Sequence, residues 1–320
     1  MLSAMFDKSA ASERRRIEEL MASMESRVRR AFAEYVQRST SEAVLRQVRE
    51  ALERRDIALA LEIASGHAVL LGDVITGVFT GVAQAEVAAL GNQIKDARVS
   101  LSFDPSYPRA ATIMRQNRLS LVSEFTEQQR QVTRRELVGA LQRGDGVLDA
   151  ARAFRNSIGL TSSQLDAVAN YRRLLESGDK QALNRTLRDA RFDGSVARAA
   201  RDNEPLGAEK INRMVERYRA RTLAWRAETI ARTETIRVLN QARQEALSQV
   251  MEQASIAPTN VRRTWRSTRD MRVRDTHAAM DGQQRGMREP FVSPSGARLM
   301  TPGDPSLGAP GSEIINCRCV

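Results

Sequence analysis

The chain has 320 residues, of which 42% are hydrophobic and only 4% aromatic, and its formal net charge is +11. A chain of this length and apolar content can bury one large core or two modest ones. The scarcity of aromatic residues and the abundance of Ala, Leu, Arg, Glu and Gln favour helices packed through small and aliphatic side chains, which excludes an all-β fold.

The positive charge bears on the partners of the protein. A surplus of this size, made mainly of arginine, predicts salt-sensitive contact with polyanions: first with double-stranded DNA, bound without sequence specificity, and second with acidic protein surfaces. The alternative is that the arginines form solvated helix faces, since interspersed Glu residues can neutralise them locally as i,i+4 pairs. The sequence leaves both interpretations open.

Cysteine usage and the N-terminus bear on the compartment. Cys317 and Cys319 are the only cysteines and give no disulfide framework, and a bond between them would be strained. The N-terminal residues lack the charged and then apolar layout of a signal peptide. We therefore expect the protein to stay in a reducing compartment or in a particle assembled there.

The first predicted region, residues 1–100, is helical. Apolar residues recur at steps of three and four over residues 12–53, which is typical of an amphipathic helix with arginines on its other side. Residues 68–90 are apolar and near the length that spans a bilayer. Because Asp73 and Gln84 oppose free insertion, we expect a buried, closely packed helix, with membrane contact as the alternative.

The second predicted region, residues 101–257, begins with a proline turn at residues 102–108 and continues as helices. Thr161 and Gln164 have the spacing of a capping box, which predicts a helix start. Residues 192–194 are predicted to form a turn. The predicted helices cover residues 109–143, 147–157, 161–176, a short stretch to about residue 188, and the long run 208–253.

The third predicted region, residues 258–320, is a small loop-rich module. Thr264 and Trp265 suit an extended segment, and Asp281 with Gly282 favours a tight turn with positive φ. The prolines and glycines that follow exclude a continuous helix. The predicted fold is therefore mainly α, a helical bundle with long helices, plus a small C-terminal α+β module.

Residue types that bind zinc occur in this module, namely His277, Cys317, Cys319 and the nearby Asp275. A loop-rich module with little core gains most from a metal. However, one residue between the cysteines is fewer than is usual for structural zinc. The alternative is that no cofactor is present: Cys317 and Cys319 are then buried thiols on alternate residues of a terminal strand, and His277 supports the turn at 281–282.

Signals of catalysis are sparse. The sequence has no nucleophile elbow, Walker loop, dinucleotide fingerprint or H-E-x-x-H motif, and its only histidines are His67 and His277. The sequence therefore offers few histidines that could act as a general acid or base. An enzyme would require water activated by a metal in the C-terminal module, with Asp275, Asp281 or Glu313 as the base.

The ordered motifs of the C-terminal module resemble those of the Mu F-like phage head morphogenesis proteins. Order and approximate spacing agree for a Trp, an R-V-R-x-x-H element, a D-G-Q turn, a P-G-D loop and a terminal N-C-R-C, and an A-R-T-E helix precedes them. Residues 103–105 and 115–119 resemble a prophage subgroup. The residues that match the family pattern are Glu234, Trp265, Arg272, Arg274, His277, Gly282, Asp304, Asn316, Cys317 and Cys319.

This resemblance implies a structural minor head protein of a tailed phage or prophage, located inside the head near the portal vertex, and in the host cytoplasm during assembly. It implies roles in head morphogenesis and in DNA packaging or ejection, with the portal protein as partner and the major capsid or scaffolding protein as further candidates. No enzymatic activity is expected. The alternative is a metal-dependent hydrolase or toxin-like enzyme that uses the C-terminal His/Cys/Asp cluster, but the chain stops at Val320, where toxin-bearing members continue.

Overall fold

The computed structural model describes residues 2–91, 101–202 and 204–320, with side chains from residue 12 onward. Helices dominate it, and the strands are confined to the C-terminal module, as predicted. The helices are α1 (Leu2–Ser39), α2 (Glu42–Glu53), α3 (Ile57–Ser65), α4 (Val69–Gly91), α5 (Pro108–Gln142), α6 (Val147–Ser157), α7 (Ser162–Glu176), α8 (Asp193–Asp202), α9 (Ala208–Gln253), α10 (Asp275–Ala279) and α11 (Gly311–Ile314).

Two small antiparallel sheets lie in the C-terminal module. Strand β1 (Arg262–Thr264) pairs with β2 (Gln284–Gly286), and β3 (Phe291–Val292) pairs with β4 (Arg298–Leu299). Strands this short contribute few ladder hydrogen bonds, so the module depends on its side-chain contacts.

The chain divides into two compact units, each made of segments that are not consecutive in sequence. The first contains Met1–Ala31, Leu70–Val122 and Glu228–Val320, and the second contains Phe32–Val69 and Ser123–Ala227. Helices α1, α5 and α9 each contribute residues to both units. The predicted regions 1–100, 101–257 and 258–320 were consecutive, and the first boundary between them lies at residues 92–100, outside the described residues.

Local capping explains where several helices begin. Gln164 N donates to Thr161 Oγ1 over 3.3 Å and Thr161 N donates to Gln164 Oε1 over 3.0 Å, so the capping box predicted at the start of α7 is confirmed. A second helix cap, formed by a serine, was missed. Ser41 Oγ accepts from Val44 N over 3.4 Å and starts α2, so the single helix predicted over residues 12–53 was wrong at this point.

Helix α8 was also missed, because residues 192–194 were predicted to be a turn. A short 3-10 turn at Ala190–Phe192 leads directly into this helix. Asp193 lies in the first turn of α8, where a negative charge is favourable. Gly194 follows it near the helix end, so it does not interrupt a helix interior. The 3-10 turn at Lys180–Asn184 occupies the stretch predicted as a short helix.

The second unit contains a buried acidic residue among arginines. Asp189 is 3% exposed and accepts hydrogen bonds from the Arg191 side chain, the shortest at 2.7 Å. Arg221 and Arg217 lie 3.5 and 3.7 Å from its carboxylate. The hydrogen bond from Arg191 is the main cause that lowers the pKa of Asp189 to about 2. This carboxylate therefore stays ionised at neutral pH.

The apolar helix α4 packs closely on α5 in the first unit. The continuous stretch Ile57–Gly91 is long and apolar enough to cross a membrane by length and composition, and 33% of its most apolar window is buried. A Cβ at Gly72 would lie 2.7 Å from Val122 and 2.8 Å from Arg118, so only glycine permits this approach. The predicted close packing is therefore present at this position, where the two helices meet.

A buried charge network ties α9 to α1 and α4 within the first unit. Glu86 is 7% exposed and lies 2.5 Å from Arg16 and 3.2 Å from Arg243. Arg243 also lies 3.2 Å from Glu13. The hydrogen bond from Arg16 lowers the pKa of Glu13. Arg243 therefore links the C-terminal half of α9 to carboxylates of α1 and α4.

Candidate functional site

Helix α9 is the platform on which the C-terminal module sits. Asn240 Nδ2 donates to Pro302 O over 3.0 Å and to Cys319 O over 3.4 Å. About two helix turns earlier, Thr233 Oγ1 accepts from Asn316 N over 3.1 Å. Asn316 has φ 57°, a left-handed conformation that Asn tolerates better than most residues. These contacts attach both the P-G-D loop and the last residues of the chain to α9.

Trp265 is the centre of the module's small core. Its side chain is fully buried, and its ring meets those of His277 and Phe291 edge to face, at centroid distances of 5.1 and 5.4 Å. Its backbone carbonyl accepts from Gly282 N over 2.9 Å. Gly282 has φ +83°, so the tight turn predicted at residues 281–282 is confirmed.

The P-G-D loop also folds around its acidic residue. Asp304 is 2% exposed and accepts hydrogen bonds from Ser306 N over 3.0 Å, Ser306 Oγ over 2.7 Å and Met300 N over 3.2 Å. The preceding Gly303 has φ +81°, and a Cβ there would lie 3.1 Å from Ile236 of α9. This loop therefore depends on the aspartate for its shape and on the glycine for its approach to α9.

Arg263 was missed by sequence reasoning although it joins several loops. Its guanidinium donates to the carbonyl of Gly286 over 2.9 Å and also to those of Glu289 and Met300, and it lies 5.2 Å from the Phe291 ring centre. An arginine in an extended segment gives no sign of this role, because the acceptors come from β2, from the turn that follows it and from the residue after β4.

The structure brings His277, Cys317 and Cys319 together. His277 lies on α10, whereas both cysteines follow α11 at the chain terminus, and all three side chains are buried. His277 Nδ1 lies 3.6 Å from Cys317 Sγ and 3.5 Å from Cys319 Sγ, and the three ligand atoms lie within 4.8 Å of one another. Cys319 N donates to Cys317 Sγ over 3.4 Å.

The two thiols influence one another's ionisation. The neighbouring Cys319 side chain lowers the pKa of Cys317 well below its ordinary value, with His277 adding to the effect. The same interaction, together with burial, raises the pKa of Cys319. The coupling between the two thiols therefore opposes the ionisation of both at once when no cation lies between them.

Glu313 lies on the other side of the imidazole. Its Oε2 is 2.9 Å from His277 Nε2, a short contact whose angle departs from that of a linear hydrogen bond. Thr276 Oγ1 and Ser295 Oγ donate to the carboxylate over 3.1 and 2.6 Å. Burial raises the pKa of Glu313, but these hydroxyl donors and the imidazole outweigh it, so the pKa lies below its ordinary value.

Other sequence-predicted candidates lie apart from this cluster. Asp275 is exposed at the start of α10, and Asp281 accepts from Ser267 N and pairs with Arg269 at 2.8 Å. The cysteines do not lie on a strand, so the predicted terminal strand is absent from residues 317–319. His277 faces the two sulfurs and Glu313. Of the three carboxylates considered as bases, only Glu313 contacts the histidine.

A pocket of about 170 Å³ opens beside the cluster. His277 and Cys319 line one part of it. The remaining lining is strongly basic, and it consists of Arg232, Thr268, Arg272, Val273, Arg274, Asn316 and Arg318. Arg232 is paired with Glu228 at 2.6 Å, and Arg318 lies 3.7 Å from Asp270. Family-pattern residues Arg272 and Arg274 thus belong to the pocket wall.

Glu234 lies on α9 and pairs with Arg237 one turn along the same helix. Both side chains are mostly buried. Arg237 also forms part of the surface that Gly303 approaches. The carboxylate is thus engaged in a helix-stabilising pair at the base of the module.

Comparison with known proteins agrees with this arrangement. Residues 205–320, which comprise α9 and the whole C-terminal module, match the family described as Phage Mu protein F like protein. No curated protein and no solved structure gave a match. The match covers the same motifs that the structure places on and around α9. On this match, residues 205–320 form a region like that of the Mu F-like phage head morphogenesis proteins.

Proposed function

We propose that the protein is a structural minor head component that sits at the portal vertex, contacts packaged DNA and has no enzymatic activity of its own. The observation that carries this proposal is the family match over residues 205–320, which spans α9 and every motif of the C-terminal module. The C-terminal module supports docking to a partner protein because contacts with α9 hold its loops in one arrangement. The same proposal gives the protein a cytoplasmic stage before the head is assembled.

We place the portal contact on one face of the module, termed the loop face and defined by Met271, Arg272, Arg274 and Ile315. Met271 is fully exposed, and Ile315 is 46% exposed. The Arg274 guanidinium donates to the Ile315 carbonyl, so the two loops are linked. Exposed apolar side chains beside arginines are typical of protein interfaces. The portal protein is the proposed partner, and the major capsid or scaffolding protein is a further candidate for the same face.

The docking proposal is tested by replacing the two apolar side chains of the loop face. The double variant Met271→Asp/Ile315→Asp is expected to lose co-purification with the portal protein and to yield heads that lack this chain. Leu148→Asp is the matched control, since Leu148 is 60% exposed but belongs to the second unit. Normal incorporation of the double variant would refute the proposed face.

The contact with DNA is assigned to exposed arginines rather than to the whole positive charge. In the N-terminal helix, Arg14 pairs with Glu18, and Arg16 lies 2.5 Å from Glu86, so these cations are engaged within the protein. Arg29 and Arg30 are exposed further along α1. We therefore assign a part of the phosphate contact to Arg29 and Arg30.

Binding of a random-sequence duplex, measured over a range of salt concentrations, tests this assignment. Each lost phosphate contact reduces the slope of log K against log salt by about 0.9, so Arg29→Ala/Arg30→Ala should reduce it by about 1.8. Arg29→Lys/Arg30→Lys keeps both charges and is expected to keep the slope. An unchanged slope in the alanine variant would exclude these two residues from the interface.

A further inference from the structure

We propose that His277, Cys317 and Cys319 bind a zinc ion and that the fourth coordination position faces the arginine-lined pocket. The inference concerns the module itself and does not depend on portal docking or DNA contact. It is carried by the distances between the three donors, by the carboxylate behind the histidine and by the position of the pocket.

The donor distances are those of a tetrahedral zinc site. With Zn–N of about 2.05 Å, Zn–S of about 2.3 Å and tetrahedral angles, the N-to-S separation is about 3.6 Å and the S-to-S separation about 3.8 Å. The observed distances from His277 Nδ1 to the two sulfurs are 3.6 and 3.5 Å, and the three ligand atoms lie within 4.8 Å of one another. The two nitrogen-to-sulfur distances therefore already match those of the bound site.

A hydrogen-bonded cluster without metal accounts for this geometry less well. A single ring nitrogen carries either one proton or one lone pair, so it forms one good hydrogen bond with one thiol. The two sulfurs nevertheless lie at almost equal distances from Nδ1. A cation between the three atoms satisfies all of them at once. The amide of Cys319 that donates to the Cys317 sulfur is the kind of contact that stabilises a metal-bound thiolate.

Glu313 supplies the outer contact that metal-bound histidines usually make. A carboxylate at the distal nitrogen fixes the ring orientation and the tautomer, so that the other nitrogen is free to bind metal. Glu313 Oε2 lies 2.9 Å from Nε2, and Thr276 and Ser295 hold the carboxylate in turn. Glu313 is thus a positioning residue, and His277 Nδ1 is the ligand atom.

The fourth position follows from the surroundings of the cluster. Two thiolates and a neutral imidazole balance the charge of Zn²⁺ and leave one tetrahedral position open. The pocket is lined by His277 and Cys319, and its four arginines favour an anionic or water ligand at that position. His277 and Cys319 both line this pocket, so solvent would reach a bound ion from it.

The test is the metal content of the full-length protein purified without added chelator, measured by elemental analysis. About one zinc per chain is expected. After replacement of zinc by Co²⁺, we expect sulfur-to-cobalt charge-transfer absorption and the strong visible bands of a tetrahedral ion. Inorganic phosphate should shift the visible bands if the fourth position opens to the pocket. Protein that is folded by circular dichroism but takes up neither ion would overturn the proposal, and visible bands that phosphate leaves unchanged would overturn the open position.

Variants separate binding from folding. Cys319→Ser is expected to abolish stoichiometric binding, whereas His67→Gln, which alters the other histidine in the second unit, should leave it unchanged. Glu313→Gln retains all three ligands and should bind one zinc with affinity lowered about 10- to 100-fold in competition with a chromophoric chelator. Equal affinity in wild-type and Cys319→Ser protein would refute the ligand assignment, and an unchanged affinity in Glu313→Gln would refute the positioning role.

Discussion

The approach of the P-G-D loop to α9 can be tested with a pair of glycine substitutions. Gly303 and Gly296 both lie in the C-terminal module and have nearly the same positive φ, +81° and +83°. A Cβ at Gly303 would lie 3.1 Å from Ile236 Cγ2 and 3.4 Å from Arg237 N, whereas one at Gly296 would have no atom within 4 Å. Alanine at the two positions therefore differs mainly in the contact with α9.

The expected magnitude follows from two contributions. A left-handed conformation costs a residue with a Cβ about 1–2 kcal/mol, and this applies to both variants. The gain from a less flexible unfolded chain also applies to both and cancels in the difference. Crowding against Ile236 and the α9 backbone adds about 1–3 kcal/mol, because a packed core yields little. Gly303→Ala should thus be less stable than Gly296→Ala by about 1–3 kcal/mol.

The assay uses the fluorescence of Trp265, which is buried in the module, during unfolding in urea. Trp225 belongs to the second unit and is replaced by Phe in all variants so that Trp265 is the only tryptophan that reports. The midpoint should fall in the order parent, Gly296→Ala, Gly303→Ala, at constant slope. Equal stability of the two alanine variants would show that the loop does not rest on α9 as described.

Three further predictions concern single side chains. Asp189→Asn should make the stability of the protein depend less on pH in acid. The depressed pKa of about 2 gives stability that is fully present above the unfolded pKa and is lost as pH falls through about 2. The melting temperature should therefore fall less steeply between pH 5 and pH 2 in the variant than in the parent, and an unchanged pH profile would contradict this. Thr161→Ala should cost about 1 kcal/mol by removing the capping box of α7, measured by denaturation followed by circular dichroism, with Thr161→Ser as the control that keeps the hydroxyl. Asn240→Ala leaves two buried carbonyls of the module without their donor. It should lower the free energy of unfolding by about 1–3 kcal/mol in the Trp265 assay. A loss below about 0.5 kcal/mol, which is typical of surface substitutions, would contradict this prediction.

Several elements could be predicted because their causes are local. The capping box at Thr161 places its own donors and acceptors within three residues, and Gly282 needs only its freedom at positive φ. The long helix α9 follows from an uninterrupted run of helix formers, and its predicted limits agree with Ala208–Gln253. The predictions failed where two local structures have similar stability. Ser41 caps a new helix inside a stretch that also suits one continuous helix, and Asp193 starts a helix where an Asp-Gly pair also favours a turn.

The cluster of His277 with the two cysteines was predicted only as a set of residue types. Forty residues separate His277 from Cys317, and nothing in the spacing states that Nδ1 rather than Nε2 faces the sulfurs. That orientation depends on Glu313, and Glu313 is placed by the hydroxyls of Thr276 on α10 and Ser295 in the turn between β3 and β4. The role of Arg263 was not predictable for the same reason, since its acceptors lie 23 to 37 residues further along the chain.

The sequence by itself determined a mainly helical chain, a loop-rich C-terminal module and the family to which residues 205–320 belong, because periodicity, turn residues and ordered motifs act over short distances along the chain. Tertiary structure alone decided that segments far apart in sequence share each compact unit and that α9 carries the module. It also decided which donors meet beside the arginine-lined pocket. These features depend on packing between distant segments, whose free energy is set by complementary surfaces that exist only after the helices have formed and met.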